Sequence, residues 1–556
     1  MNDESNFSAL DRQFGDFLQR LALSAGAEVR LAAMCASRAR AEGHVCIPVA
    51  EIATLEGAPT AATLGKNLRA SGVVGSPNDF TPLVLDQNDR LYLRRYWEYE
   101  QQLAGAIRQR AASGSTTREK KQTDLQKVAA AKAVTNNFTV ITGGPGTGKT
   151  RTVMAILALL HQQKGGDNLR IALAAPTGKA AARLTESIRA VNQTLEATTI
   201  HRLLGYLPGS PYFRHDAERP LNFDVVIVDE ASMIDLALMA KLVAAVRPEA
   251  RLILLGDRDQ LASVEAGSVL ADICAAAEDA QPNHPLHGSV VALQKNYRFA
   301  PTGGIYRVST AVNAGDAEAT LHAFRSDSSG EARWQPLPEG AKLPAALQDR
   351  ITTAFRPCLE TDDPLQALAR LQQFRILCAL RHGPFGVENL NAIAEEILAQ
   401  TGLLSPRPGG SYRGRPLTVT ENDYNLGLFN GDSGIILPDP ADGGELRAFF
   451  VSAEGKLRRF LPSRLPRHET AFAMTVHKSQ GSEFSEILLL LPESDSQLLT
   501  RELLYTALTR AREQVEVWAT ERVLKAAIAR RVTRVSGLQD ALRTKAFGSR
   551  QSGSNR

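Results

Sequence analysis

A glycine loop between a strand-like and a helix-like segment constrains the fold of this chain most strongly. Residues 143–150 read Gly-Gly-Pro-Gly-Thr-Gly-Lys-Thr, after the apolar run 138–142 and before the helix-like run 151–160. Backbone N–H groups of such a loop, with the positive end of the following helix, bind phosphate oxygens. Because an ordinary glycine-rich turn needs no such flanking segments, the pattern predicts a P-loop α/β unit that binds a nucleoside triphosphate.

The loop ends in two residues suited to the chemistry of a triphosphate. Lys149 would reach the outer phosphates, and the Thr150 hydroxyl would hold Mg²⁺. Downstream, the apolar run 225–228 ends in Asp229 and Glu230. We interpret Asp229 as a holder of the Mg²⁺ hydration shell and Glu230 as the residue that orients or deprotonates water. A solvated acidic turn is the less favoured alternative.

Three further polar residues are candidates for the same site. Gln260 follows the apolar run 252–255, beyond the strand end where γ-phosphate sensors lie. Arg298 and Arg510 are candidate arginine fingers, which neutralise charge on the transferred phosphoryl group. Taken singly, each arginine would be a surface residue in a salt bridge, so this role depends on the motifs described below.

Composition limits the class of protein without naming its ligand. The 556 residues are 44% hydrophobic and 22% charged, which is typical of a folded chain of three or four domains. A net charge of +4 excludes a highly basic arm but allows a local basic groove. The polar, acidic N-terminus and the lack of any run of eighteen apolar residues predict a cytoplasmic protein without a membrane partner.

The cysteines indicate neither disulfides nor a metal centre. The five are odd in number, scattered, and without CxxC spacing, so we interpret them as reduced core thiols; they are Cys35, Cys46, Cys274, Cys358 and Cys378.

Pattern changes along the chain divide it into predicted domains. Residues 1–115 are mostly helical by pattern and end in a polar linker, and their apolar and aromatic character suits docking on a partner. Alternating apolar runs and helical segments follow. Between 405 and 468, Gly, Pro and Asp alternate with short β-like runs, which is typical of a small β-barrel, and residues 547–556 are predicted to be a disordered tail. Predicted strands are 138–142, 171–175, 224–228, 251–255, 374–379, 416–420, 433–437, 446–452, 471–476 and 485–491.

The ordered motifs resemble those of superfamily 1 helicases. They include Ala-Pro-Thr-Gly-Lys at 175–179 and Thr-Val-His-Lys-Ser-Gln-Gly-Ser-Glu-Phe at 475–484, and they span about 125–520. Residues 415–432 and Leu-Tyr-Leu-Arg-Arg-Tyr-Trp at 91–97 are similar to the RecD family, the alpha subunits of the bacterial RecBCD complex (exodeoxyribonuclease V). The other matching segments are 143–150, 180–184, 199–205, 229–230, 256–260, 296–298 and 505–510.

The resemblance implies two RecA-like motor domains with ATP between them. The first would span 116–297, and the second would span 298–404 and 469–546, interrupted by an SH3-like barrel at 405–468. Lys149, Asp229, Glu230, Gln260, Arg298 and Arg510 would be catalytic, with Mg²⁺ held by Thr150 and Asp229. The nucleotide-binding set would be Gln126, Gly143, Gly144, Pro145, Gly146, Thr147, Gly148, Lys149, Thr150 and Arg151.

The resemblance also implies a groove for single-stranded DNA, in which donors contact phosphates and rings stack on bases. A short hairpin at about 206–221 lies where related helicases split the duplex, although the sequence fits a surface loop equally well. The DNA-facing candidates are Pro176, Thr177, Lys179, Thr199, His201, Thr475, His477 and Lys478.

The family therefore implies an ATP-dependent 5′–3′ DNA helicase acting on single-stranded and partial-duplex DNA in double-strand-break repair and homologous recombination. Its partners would be RecB-like and RecC-like subunits in a heterotrimer, and nuclease activity would belong to those partners. Alternatives are a stand-alone RecD-like helicase and a non-catalytic motor-like scaffold. A P-loop kinase or transport ATPase would leave residues 470–512 unexplained.

Overall fold

The structure, a computed structural model, describes residues 6–113 and 124–544 apart from 164, 190–191, 193, 339–341, 408–409, 424 and 453–454. The tail predicted at 547–556 and most of the polar linker lie outside the described residues. Within them the chain forms an N-terminal region, two α/β domains with parallel sheets, and an antiparallel sheet inserted into the second α/β domain.

The N-terminal region combines helices with a small sheet that the sequence pattern did not predict. Its strands are two to four residues long, too short to show a period of two, and they pair in the order β1-β4-β3-β2. The elements are α1 (Ala9–Leu21), α2 (Gly26–Ala41), β1 (Cys46–Pro48), α3 (Val49–Ile52), α4 (Ala61–Ala70), β2 (Val74–Gly75), β3 (Leu83–Leu85), β4 (Arg90–Leu93) and α5 (Arg94–Ala112).

The first α/β domain is built on a six-stranded parallel sheet in the order β10-β5-β9-β8-β6-β7. The central strands are buried on both faces, as their continuous apolar runs predicted. The elements are α6 (Leu125–Thr135), β5 (Phe138–Thr142), α7 (Lys149–Gln162), β6 (Ile171–Ala175), α8 (Gly178–Ile188), β7 (Ala197–Thr199), α9 (Ile200–Leu204), β8 (Val225–Val228), α10 (Leu236–Ala245), β9 (Arg251–Gly256), α11 (Val269–Glu278) and β10 (Val290–Ala292).

The second α/β domain has a five-stranded parallel sheet in the order β11-β20-β19-β12-β18. The sequence pattern predicted three of these strands and missed β11 and β20. The domain's elements are α12 (Gly304–Ala314), α13 (Ala317–Arg325), β11 (Ala332–Gln335), α14 (Leu343–Leu359), α15 (Pro364–Leu371), β12 (Phe374–Cys378), α16 (Val387–Gln400), β18 (Ala473–Thr475), β19 (Phe484–Leu490), α17 (Arg501–Leu508), β20 (Ala511–Trp518) and α18 (Glu521–Ala529).

Between α16 and β18 the chain forms a separate antiparallel sheet in the order β16-β15-β14-β13-β17. Its position agrees with the predicted change in composition and strand pattern, while its SH3-like character and the exact domain limits stay predictions. The strands are β13 (Pro416–Val419), β14 (Ser433–Asp439), β15 (Glu445–Val451), β16 (Leu457–Phe460) and β17 (His468–Thr470).

The last described segment returns to the beginning of the molecule. Although it follows the second α/β domain in sequence, helix α19 (Leu538–Arg543) packs on α5 and α11. The Val45 N–H donates to the Val535 carbonyl over 2.9 Å, and the Gly537 N–H donates to Glu100 Oε2 over 2.9 Å. The chain's end therefore ties the second α/β domain to the N-terminal region.

All five cysteines are buried, and none of them forms a disulfide. None of the described helices is long and apolar enough to cross a membrane.

Candidate nucleotide cleft and DNA-facing surface

The glycine loop joins β5 to the first turn of α7. Gly146 and Gly148 have φ angles of +81° and +84°, in the left-handed region that favours glycine. The Lys149 ammonium lies over the loop, where its Nζ donates to the carbonyls of Gly143 (2.5 Å) and Gly144 (3.2 Å). The Thr147 hydroxyl also donates to the Gly144 carbonyl, over 2.7 Å. These hydrogen bonds fold the loop back on itself, and the Lys149 side chain lies on the inner side of the loop.

Gln126 contacts the loop from the preceding helix. Its Nε2 donates to the Thr147 carbonyl over 3.0 Å, so α6 is fixed against the phosphate-binding loop. A Cβ on Gly148 would lie 2.1 Å from the same Nε2, which shows how closely the two segments approach. Arg151 is exposed one residue beyond Thr150 on α7 and does not line the cleft described next.

A cleft of about 310 Å³ opens beside this loop, and both α/β domains line it. The structure brings together in this cleft all six predicted catalytic residues together with Thr150. The predicted residues that line it are Pro145, Gly146, Gly148, Lys149, Thr150, Asp229, Glu230, Gln260, Arg298 and Arg510. Residues that the sequence interpretation did not assign to it include Arg183, Tyr297, Gly481 and Glu483.

Asp229 and Glu230 directly follow the carboxyl end of β8. Glu230 has a φ of +52°, an uncommon conformation for a side chain of this size, and its N–H donates to Asp229 Oδ1 over 2.8 Å. Burial raises the pKa of Asp229, and the neighbouring Glu230 adds to this, while Lys149 opposes it. A cation beside Asp229 would relieve the cost of burying this charge.

The donor set fits Mg²⁺. Magnesium in nucleotide sites takes one or two protein oxygens and completes its shell with phosphates and water. The Thr150 hydroxyl and the Asp229 carboxylate, which line the same cleft, are donors of this kind. The described residues contain no cluster of three or more His, Cys, Asp or Glu side chains that would form a self-sufficient metal cage.

Glu483 gathers three arginines at the mouth of the cleft. Its carboxylate pairs with Arg298 (2.6 Å), Arg183 (2.8 Å) and Arg512 (3.0 Å). Burial favours the neutral form, but Arg183 and Arg298 outweigh it and hold the pKa of Glu483 well below its usual range. Arg183 belongs to the first α/β domain and also donates to the Gly481 carbonyl of the second over 3.1 Å, so this cluster spans both domains.

Arg510 enters the cleft from the second α/β domain. Its side chain is almost fully buried and donates to the carbonyls of Thr506 and Ser482, each over 3.3 Å. Burial lowers the pKa of Arg510, and the charges of Arg183 and Arg298 add to this, while Glu230 and Glu483 oppose it. These bonds hold the guanidinium in a fixed position at the cleft wall.

The DNA-facing candidates lie at or just after the carboxyl ends of parallel strands in both α/β domains. In the first, Pro176, Thr177 and Lys179 follow β6, and the Thr177 hydroxyl caps α8 by accepting the Ala180 N–H over 3.2 Å. Burial lowers the pKa of Lys179 to about 8, assisted by the charges of Arg375 and Arg183. Lys179 is half-buried, so it is not a fully solvated helix residue.

The remaining candidates are also engaged in local contacts. Thr199 caps α9 through the Arg202 N–H at 3.2 Å, and the His201 ring lies 5.6 Å from that of Phe213. In the second domain, Thr475 accepts the Lys478 N–H over 3.2 Å. The Lys478 ammonium pairs with Glu469, and burial lowers the pKa of His477. The hairpin predicted at 206–221 contains an antiparallel bridge between Tyr206 and Phe213.

Comparison with known proteins identifies the family. Models of three families match: the N-terminal domain of the RecBCD enzyme subunit RecD over residues 3–92, an AAA domain over 126–266, and a UvrD-like helicase C-terminal domain over 470–517. The RecBCD enzyme subunit RecD of Mycobacterium tuberculosis is 42% identical over 568 residues, covering 95% of this chain and 94% of that protein. The chain belongs to the RecD family.

Other proteins are similar to this RecD-family chain at lower sequence identity. The RecD subunit of Mycolicibacterium smegmatis is 40% identical, with 93% of this chain and 94% of that protein covered. The ATP-dependent RecD2 DNA helicase of Deinococcus radiodurans is 34% identical over 68% of this chain and 46% of its own length. Among solved structures, the Pif1 helicase of Candida albicans aligns with a TM-score of 0.43 at 16% identity, covering 73% of this chain and 96% of that one.

Sequence reasoning missed Arg183 and Glu483 as residues that line the cleft, and Tyr505 as a contact between the two α/β domains. Arg183 and Glu483 lie within the helicase-like segments 175–184 and 475–484, so the motifs contained them without showing what they contact. The Tyr505 hydroxyl donates to Asp257 Oδ2 over 3.1 Å and thereby reaches the sheet edge of the first α/β domain.

Proposed function

We propose that this RecD-family chain is a helicase that moves 5′ to 3′ along single-stranded DNA and works with RecB-like and RecC-like subunits. Membership of the family makes it an ATP-hydrolysing DNA helicase subunit of RecBCD. One observation carries the proposed mechanism: six candidate catalytic residues, distant in sequence, line a single cleft between two α/β domains. Such a cleft can open and close with each nucleotide and so drive movement.

Each side chain has a defined part in hydrolysis. Lys149 would leave its loop carbonyls to hold the outer phosphates, and Glu230 would orient or deprotonate the attacking water. Thr150 and Asp229 would hold Mg²⁺, which supplies charge neutralisation on the phosphate oxygens. Gln260, 6% exposed and lining the cleft, would respond to the presence of the γ-phosphate.

The two arginines would act from the far side of the triphosphate. Arg510 is already fixed by the carbonyls of its own domain, whereas Arg298 is held by Glu483. Arriving phosphates would compete with Glu483 for Arg298, and Arg183 and Arg512 would continue to neutralise that carboxylate. Nucleotide binding would thus rearrange an ion-pair cluster that joins the two domains.

The alternatives have less support. A scaffold without catalysis has no use for an intact set of lysine, carboxylates, glutamine and arginines in one cleft. The stand-alone RecD-like alternative is not favoured, since the match covers 94% of the mycobacterial RecD subunit and 46% of the RecD2 helicase. The nuclease activity of the complex would reside in its other subunits.

Unwinding of two partial duplexes, one with a 5′ tail and one with a 3′ tail, tests the proposal. We expect ATP-driven unwinding from the 5′ tail alone, abolished by Lys149→Gln. Arg510→Ala should keep ATP binding and lower kcat by about 10³-fold or more. Lys66→Gln, which changes an exposed lysine of the N-terminal region, is the matched control. Unwinding from the 3′ tail would overturn the assigned direction.

A further inference from the structure

Two groups of aromatic rings, one in the first α/β domain and one in the N-terminal region, lie on either side of Lys241. The His201 ring lies 6.5 Å from that of Tyr206 and 5.6 Å from that of Phe213. On α5, the rings of Tyr99 and Tyr96 are 6.2 Å apart in an edge-to-face arrangement. We call these five residues the aromatic strip. It begins at a DNA-facing candidate and crosses from one region of the chain to another.

Lys241 joins the two halves of the strip. Its ammonium on α10 lies 5.5 Å from the ring centres of both Phe213 and Tyr99. The same Nζ donates to the Pro211 carbonyl over 2.8 Å, which fixes the tip of the 206–214 hairpin. Cation–π contacts on two rings and a hydrogen bond to the hairpin hold the hairpin against α5.

Two tyrosines of the hairpin present their rings to solvent. Tyr212 is 70% exposed and Tyr206 is 40% exposed, although each carries a large apolar ring. A ring that served only to hold the hairpin in place would be packed against the core, as Phe213 partly is. Exposed, rigidly supported aromatic faces are the platforms on which single-stranded bases stack.

The surface around the strip carries mostly positive charge. Arg95 is exposed on α5. Burial raises the pKa of Tyr99 and lowers that of Lys241, and the positive charge of Arg95 lowers both. Arg202 and Arg214 are exposed on the hairpin side. The carboxylate facing Lys241 is Asp235, whose Oδ1 accepts the Leu238 N–H over 2.9 Å as the cap of α10. The cations Arg95, Lys241, Arg202 and Arg214 suit contacts with a phosphate backbone.

We propose that Tyr206, Tyr212, Arg95 and Lys241 form a second contact for single-stranded DNA, outside the motor groove. The strand would continue from His201 over the hairpin, stack its bases on the two tyrosines, and place its phosphates near Arg95. The proposal rests on the proposed helicase function and gives the N-terminal region a direct part in holding the substrate.

Length-dependent DNA binding by the full-length chain tests this contact. The probes are fluorescein-labelled oligothymidylates of about 10 and about 25 nucleotides, the shorter filling the motor groove alone. Tyr212→Ala should weaken binding of the longer probe roughly five-fold or more. Arg95→Ala should reduce the slope of log affinity against log salt by about 0.7, the value for one phosphate contact on a single strand.

Matched controls separate this contact from general damage. Phe80→Ala removes a ring that is 97% exposed elsewhere in the N-terminal region, and Arg20→Ala removes an exposed arginine on α1. Neither control should change binding of either probe. Tyr212→Trp, which retains a stacking face, should restore binding of the longer probe.

The outcomes distinguish failure of this contact from failure of the helicase proposal. DNA-stimulated ATP hydrolysis by the unaltered chain on the shorter probe tests the helicase proposal, and the two variants should match it there. Equal affinity of Tyr212→Ala and the unaltered chain for the longer probe would overturn the second contact. Loss of RecB-like and RecC-like subunits from Tyr212→Ala or Arg95→Ala, with DNA binding unchanged, would assign the surface to protein contact instead.

Discussion

The Tyr505 hydroxyl, on α17 of the second α/β domain, donates a hydrogen bond to Asp257 Oδ2 of the first over 3.1 Å. Asp257 follows β9 beside the glycine loop, and a Cβ on Gly144 would lie 2.7 Å from the same hydroxyl. One phenol therefore contacts both the phosphate-binding loop and a buried carboxylate across the domain boundary. A change in the conformation of this loop on binding phosphate would act directly on α17 through the Tyr505 hydroxyl.

Tyr505→Phe should destabilise the chain more at high pH than at low pH. Burial raises the pKa of Asp257 to about 6, while Lys149 and the Tyr505 hydroxyl lower it. Without the hydroxyl the pKa of Asp257 rises further, because its charged form has lost a hydrogen-bond donor. The free energy of unfolding therefore decreases by about 1–3 kcal/mol at pH values where Asp257 is charged. Melting temperatures measured from about pH 5.5 to about pH 8 should diverge from the unaltered chain as pH rises. Tyr306→Phe is the control, and an equal shift at every pH would contradict the assignment.

Gly148→Ala should weaken nucleotide binding, because the added Cβ would strain the loop and displace the Gln126 side chain from it. The new Cβ would lie 2.1 Å from Gln126 Nε2, and the φ of +84° is strained for any other residue. Gly57→Ala provides a matched control, because Gly57 has a φ of +79° with nothing within 4 Å of the added Cβ. Both variants bear the backbone strain, but weaker binding of a fluorescent ATP analogue should occur in Gly148→Ala alone.

The sequence predicted local features well and contacts between distant segments poorly. The strand at 138–142 and the loop that follows it are fixed by apolar runs and glycines, which act within a few residues. The pairing of Arg183 with Glu483 depends on how two domains meet, and neither residue's surroundings in sequence reveal it. The strand β2 is two residues long, too short for any periodic pattern.

Glu100→Gln should flatten the pH dependence of stability. Burial raises the pKa of Glu100 to about 7, although Gly537, Ser536 and Tyr92 donate to its carboxylate and lower it. Because the folded pKa exceeds the unfolded value, its stabilising contribution is present below about pH 4.5 and is lost as pH rises through about 7. Glutamine cannot titrate, so the variant's melting temperature should vary less across this window.

Glu98→Gln, two residues earlier on α5, is the control for this effect. Glu98 pairs with Arg94 over 3.3 Å and is 42% exposed, so its replacement should leave the pH profile unchanged. A profile for Glu100→Gln that parallels the unaltered chain would show that Glu100 does not link protonation to the docking of the chain's end.

Arg110→Ala should weaken the packing of α5 on the first α/β domain and lower stability by about 2–4 kcal/mol. The buried Arg110 guanidinium donates to the carbonyls of Arg247 (2.8 Å), Ala250 (3.1 Å) and Val243 (3.3 Å), at and beyond the C-terminal end of α10. Without it these carbonyls each lose one donor, and the favourable interaction of a cation with a helix C-terminus is lost. Burial lowers the pKa of Arg110 to about 10, so the charge persists at neutral pH. Gln109→Ala, at an exposed neighbour, should leave the melting temperature unchanged, and an equal decrease in both variants would mean that the guanidinium is not responsible.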